Sequence, residues 1–124
     1  MSNRLFTEDH EWISVENGKA TIGVSAHAAD ELGEVVFVEL PNVGTVFSKG
    51  DECASVESVK TVSGVYAPIN GTVVGINQQV VDSPDLINQS PYDSGWLIQF
   101  ETEAGFDASD LMDEASYEAF LNTI

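Results

Sequence analysis

Apolar positions along this chain come mostly in short alternating runs, the pattern of strands rather than of helices. Segments 12–15 (WISV) and 20–24 (ATIGV) flank Glu16-Asn17-Gly18, where Asn-Gly supplies the positive φ of a tight hairpin turn. Ser25 is placed to cap a short helix over 26–32, and Gly33 to end it in the left-handed position. The run 35–40 (VVFVEL) is β-branched and aromatic, and too short for an independent helix. Further strands are predicted at 52–57, 62–67, 71–77 and 96–101, punctuated by Pro41, Gly44, Gly50, Gly64, Pro68, Gly71, Pro84 and Pro91. Near the C-terminus the pattern turns helical. Ser109 reads as the N-cap, Asp110, Asp113 and Glu114 sit at the positive end of the dipole, and Leu111, Met112, Ala115 and Ala119 recur at helical spacing, giving a helical segment at about 107–122.

One internal repeat organises the middle of the chain. Segments 41–46 (PNVGTV) and 68–73 (PINGTV) share Pro-x-x-Gly-Thr-Val at an offset of 27, and the same offset relates Val35 to Val62 and Val38 to Val65. Two copies suit a small domain with approximate two-fold symmetry, each half giving strands to a sandwich or flattened barrel. The expected fold is therefore mainly β, an antiparallel sandwich with short flanking helices and a C-terminal helix. It forms one domain, 1–124, with its core at about 20–101.

Composition narrows the function. Among 124 residues, 21 acidic and 4 basic side chains give a formal charge of −17. Nucleic-acid binding needs clustered cations, whereas Arg4, Lys19, Lys49 and Lys60 are scattered, and the same shortage argues against anionic lipid. No apolar run approaches the roughly 20 residues of a membrane span. With 43% apolar residues the chain has enough material for a core despite its charge. Cys53 is the only cysteine and the N-terminus resembles neither a signal nor a transit peptide, so a cytoplasmic protein is expected.

Candidate chemistry is sparse. His10 and His27 are the only imidazoles and have no zinc-site spacing, so no metal is expected. Cys53 lies in a predicted acidic strand and reads as a core residue, because a reactive thiolate wants positive neighbours. Acidic pairs such as Asp30-Glu31 and Asp51-Glu52 suit a solvated face, and phosphate-binding glycine loops are absent. Lys60 stands out. It is predicted at the exposed tip of a hairpin whose strands offer Ala54, Val56, Val62 and Val65 to the core. An exposed amine with a pKa near ~10.4 is a poor catalyst, so its chemically sensible use is as an attachment point.

Glu57-Ser58-Val59-Lys60, followed by 66–73 (YAPINGTV), resembles the lipoyl-attachment hairpin of the glycine cleavage system H proteins. So do His10-Glu11-Trp12, 20–24, 32–41, 82–88 and 90–96, so that the resemblance spans nearly the whole chain in order. It implies a lipoyl/biotinyl-domain-like fold with lipoic acid amide-linked to Lys60, and Glu57, Ser58 and Val59 as hairpin recognition residues. By resemblance the chain is a carrier and not an enzyme. It would serve the pyridoxal-phosphate glycine decarboxylase, the tetrahydrofolate-dependent aminomethyltransferase and dihydrolipoyl dehydrogenase as a monomer, after modification by a lipoyl or octanoyl ligase or transferase. Asp9 and Glu11 match positions at which the family's loaded arm docks in a cleft, and Glu57, Ser63 or Asp9 are candidates to stand in for an acid that the family pattern has and this chain lacks. One departure is Gly64, where many relatives carry an acid four positions beyond the lysine, which implies weaker arm protection here. Biotin carriers flank their lysine with methionines, where Val59 and Thr61 stand here. Lipoyl domains of 2-oxo acid dehydrogenases have Asp before the lysine. A lipoyl store or relay for other enzymes, and an unmodified acidic interaction module, are the alternatives.

Overall fold

The computed structural model describes residues 4–16, 18–101 and 111–123. In chain order the elements are β1 (Arg4–Phe6), β2 (Glu11–Glu16), β3 (Lys19–Val24), α1 (Ala26–Leu32), β4 (Val35–Glu39), β5 (Val46–Phe47), β6 (Glu52–Ser58), β7 (Val62–Tyr66), β8 (Gly71–Ile76), α2 (Gln78–Asp82), α3 (Leu86–Gln89), β9 (Ile98–Glu101) and α4 (Glu114–Leu121). Two antiparallel sheets result, one ordered β1-β2-β3-β9-β8-β5 and the other β4-β6-β7. Ile13, Ile22, Val38, Val56, Val65, Val73, Ile98 and Phe100 are buried in one cluster drawn from both sheets. Among the described residues no helix is long and apolar enough to cross a membrane.

Local chemistry explains most boundaries. β2 and β3 pair from Glu11 opposite Val24 to Glu16 opposite Lys19, closing at Gly18 with φ 79°; Asn17, the other residue expected in this turn, lies outside the described residues. Ser25 caps α1 by accepting the Ala28 N–H on its hydroxyl. Gly33 ends the helix at positive φ as expected, but its ψ of −152° is extended rather than left-handed helical. The repeat is visible in the pairing. β4 and β7 flank β6 on opposite sides, and Val46 of the first copy faces Thr72 of the second, where Val73 N–H donates to the Thr45 carbonyl.

Three expectations are corrected. Val62 is 64% exposed, because it shares the outward face of β7 with Gly64 and Tyr66 while Val65 takes the core face. The C-terminal helix begins at Glu114 behind Asp113, whose carboxylate accepts the Ser116 N–H. Leu111 and Met112 precede that helix, since Met112 exchanges both backbone hydrogen bonds with Phe6; the expected cap Ser109, with Asp110, lies outside the described residues. Strand 71–77 stops at Ile76, because Asn77 turns to cap α2, its Oδ1 accepting the Gln79 N–H. The last element then packs back: Tyr117 of α4 stacks on Phe6 at 4.3 Å between ring centroids, in a second cluster with Trp12.

Candidate functional site at the Lys60 hairpin

The β6–β7 turn is built around one hydroxyl. Buried Ser58 accepts the N–H groups of Lys60 (3.3 Å) and Thr61 (3.1 Å) on its Oγ, while its own N–H donates to the Thr61 carbonyl. The turn is also tied sideways, because Val59 N–H donates to the Glu34 carbonyl at 3.1 Å. Val59 and Lys60 are left exposed at the tip, and Glu57 is exposed one step down β6, opposite Val62. The Lys60 stem crosses Gly33: a Cβ at that glycine would stand 3.3 Å from Lys60 Cε. Asn88 holds this floor, accepting the Val35 N–H and donating to the Gly33 carbonyl. Sequence reasoning had Asn88 only as part of a matching segment.

Beside the hairpin lies an open cavity of about 520 Å³, walled by the β1–β2 turn, α1 and β7. Its floor is apolar, with Val24, Leu32, Val56 and Val65, and its polar lining includes Asp9, Glu11, Thr61 and Ser63. The structure thus gathers the three expected cleft residues in one wall set, and keeps Glu57, Ser58 and Val59 on the hairpin itself. Asp9 is exposed at the rim. Glu11 is 2% exposed, its carboxylate accepting the Tyr66 N–H at 2.7 Å and the Thr7 hydroxyl at 3.1 Å. Burial pushes its pKa up to about 7 against the pull of those two hydrogen bonds. A carboxyl so placed is poised to ionise when a cation enters the cavity.

Both histidines belong to the same wall, which their separation in sequence hid. Antiparallel β2 and β3 bring the residues just outside them together, so Ser25 N–H donates to the His10 carbonyl and the His10 and His27 rings lie 4.7 Å apart. The register of the hairpin was the signal that could have found them. His10 has φ 69° and is held by the Tyr117 hydroxyl, 2.8 Å from its Nδ1 and 2.7 Å from Ser25 Oγ. Burial, then the neighbouring His27, lower the His10 pKa, opposed by Asp9 and Glu31. Cys53 is buried and its thiol is pushed up to about 12, chiefly by desolvation, in keeping with a core role.

Gly64 has a structural counterpart. A Cβ there would meet the carboxylate of Glu52 from the neighbouring strand, with the Tyr66 hydroxyl at 3.1 Å. The space over Gly64 is thus filled by an acid from β6.

The family model for the glycine cleavage H-protein matches residues 4–124. The glycine cleavage system H protein of Listeria monocytogenes serotype 4a (strain HCC23) is 47% identical over 118 residues, which are 95% of this chain and 94% of that protein. That of Herpetosiphon aurantiacus is 47% identical over 95% of this chain and 90% of its own. Among solved structures, the glycine cleavage system H protein from Mycobacterium marinum superposes with a TM-score of 0.89 at 37% identity, covering 100% of this chain and 99% of that one. With a family match over almost the whole length, close relatives in sequence and the same fold, the chain belongs to the glycine cleavage H-protein family.

Proposed function

We propose that this chain carries lipoic acid in amide linkage to Lys60 and works as the mobile-arm carrier of glycine cleavage. Family membership makes it a carrier subunit of that system, not itself a catalyst. The observation that carries the assignment of Lys60 is its position: an exposed amine on a turn fixed by Ser58 and Glu34, beside a cavity of about 520 Å³. Held on Lys60, lipoic acid would supply a disulfide with the group-transfer and two-electron redox chemistry that the carrier role requires.

The chain's own residues do three things. Ser58 and the Glu34 carbonyl hold the tip rigid, so a modifying enzyme meets one lysine geometry. Val24, Leu32, Val56 and Val65 offer an apolar bed to an aliphatic arm. Glu11, with Asp9 at the rim and Ser63 opposite, receives a cationic amine, and the Glu11 proton leaves as the ammonium arrives. The partners are the glycine decarboxylase, the aminomethyltransferase, dihydrolipoyl dehydrogenase and a lipoyl or octanoyl ligase or transferase. The same reading has the chain act in the cytoplasm as a monomer with one carrier domain.

Intact mass of the protein from a lipoylation-competent host is the test. An added lipoyl group that disappears in Lys60→Ala supports the assignment, and an unmodified wild-type chain overturns it. Glycine–bicarbonate exchange with the partner enzymes then separates glycine cleavage from a relay of lipoyl groups.

A further inference from the structure

The sheet β4-β6-β7 turns one face to the core and the other outward, beside the Lys60 tip. Its pairing sets Phe37, Glu57 and Val62 in one outward row, Glu39, Ser55 and Gly64 in the next, and Glu52 opposite Tyr66 in the last. Phe37, Val62 and Tyr66 are 52%, 64% and 40% exposed. Single exposed apolar residues are ordinary, but three large ones on one short sheet are not. Phe37 is outward because the strand shifts register between Val35 and Phe37. Ser55 and Gly64 leave the middle row without large side chains of its own, and the Glu52 carboxylate and Tyr66 hydroxyl lie over Gly64, so the face sets carboxylates beside apolar side chains. The three strands contribute no lysine or arginine.

We propose that this face is the surface on which the decarboxylating enzyme of the system docks, and that it takes an arginine-bearing segment of that enzyme. The inference rests on Lys60 as the arm's attachment point, since whatever admits the arm must approach the surface around its root. A guanidinium matches the face in two ways: it pairs in-plane with Glu39 or Glu52, and its flat face packs on Phe37 or Tyr66. Two copies of this chain meeting through the same face would set these acids against each other. Anionic lipid and nucleic acid are repelled for the same reason.

The test uses the lipoylated protein in glycine–bicarbonate exchange with the decarboxylating enzyme, varying the carrier concentration. Intact mass, with Lys60→Ala as the unmodified control, first verifies the lipoyl group in every protein, so failure of the attachment assignment is read separately from failure of docking. The charge variant Glu39→Gln/Glu52→Gln leaves shape and fold in place. Its KM for the carrier is expected to rise about tenfold, with kcat within about twofold and a flatter response to salt. The pair Phe37→Ser/Val62→Ser is expected to raise KM similarly. An unchanged KM in the charge variant overturns the proposal whatever the apolar pair does. So does an equal rise in Val74→Ser/Val81→Ser, exposed positions on β8 and α2.

Discussion

Glu11→Gln should make this protein more stable at pH 8 and less stable at pH 4. Glu11 ordinarily titrates at 4.5 and is raised to about 7, with desolvation the first cause. At about 1.4 kcal/mol for each tenfold in an ionisation constant, that distance amounts to about 3 kcal/mol. A raised carboxyl holds its proton more tightly folded than unfolded, so stability falls as pH rises between about 4.5 and about 7. Below that window the carboxyl is neutral in both states and costs nothing; above it the full penalty is present. Glutamine cannot ionise and escapes the penalty, while its Oε1 keeps the Tyr66 N–H. Its amide N–H₂ meets the Thr7 hydroxyl, which already accepts the N–H groups of Asp9 and Glu11, so one hydrogen bond worth about 1 kcal/mol is lost.

The variant is then less stable by about 1 kcal/mol at pH 4 and more stable by about 2 kcal/mol at pH 8, with the curves crossing at about pH 5. Urea unfolding of both proteins across this range reads the difference directly, and the other carboxylates cancel because both chains carry them. A difference that stays constant with pH, or grows in the opposite sense, refutes the account of Glu11. On the proposed function, the same variant should hydrolyse its loaded arm faster, because the charge that costs stability in the empty cavity is the one proposed to receive an ammonium.

Gly64→Asp brings a second carboxylate against Glu52 and should cost about 1 kcal/mol at pH 7, recovered in a Glu52→Gln background; equal losses in both backgrounds would refute the contact. In that relieved background the loaded arm should hydrolyse more slowly than in wild type, and no change would show that an acid at 64 adds no protection. Tyr117→Phe removes the hydroxyl shared by Ser25 and His10, and a loss of about 1 to 2 kcal/mol is expected in thermal or urea unfolding, with an unchanged midpoint counting against the network. Turnover with partner enzymes should fall as ionic strength rises, given the charge of −17; a flat response would show that the charge does not steer docking.

What the sequence made legible were elements whose chemistry is local. Ser25 and Gly33 bracket α1 by capping alone, and the 20–24 and 35–40 runs are strands by composition and alternation. Elements decided by distant partners were not legible. β5 is two residues long and exists through pairing with Gly71 and Thr72, and β1 through pairing with β2. α2 and α3, of five and four residues, are too short to show a period. Met112 sat at helical spacing, yet the Phe6 backbone claimed it, and the cap passed to Asp113. At the site the hairpin and Lys60 could be read from the chain, whereas the burial of Glu11 and the meeting of His10, His27 and Tyr117 depend on packing across the sheet.

The internal repeat explains why the site lies where it does. Counting back by the offset of 27, the β6 segment at 52–58 corresponds to 25–31, and Lys60 corresponds to Gly33. The first copy has α1 where the second has a strand, so symmetry fails at this point of the fold, and the helix walls a cavity that a paired strand would close. Near an approximate two-fold axis, equivalent positions come close together, and Lys60 does lie across Gly33. The φ of 77° at Gly33 disfavours any side chain there, whereas a Cβ 3.3 Å from the Lys60 stem would ask only a small shift of that flexible chain. One copy therefore keeps a glycine and the other presents the amine. The exposed amine thus stands in one copy of a duplicated framework, across from a glycine whose positive φ the other copy requires.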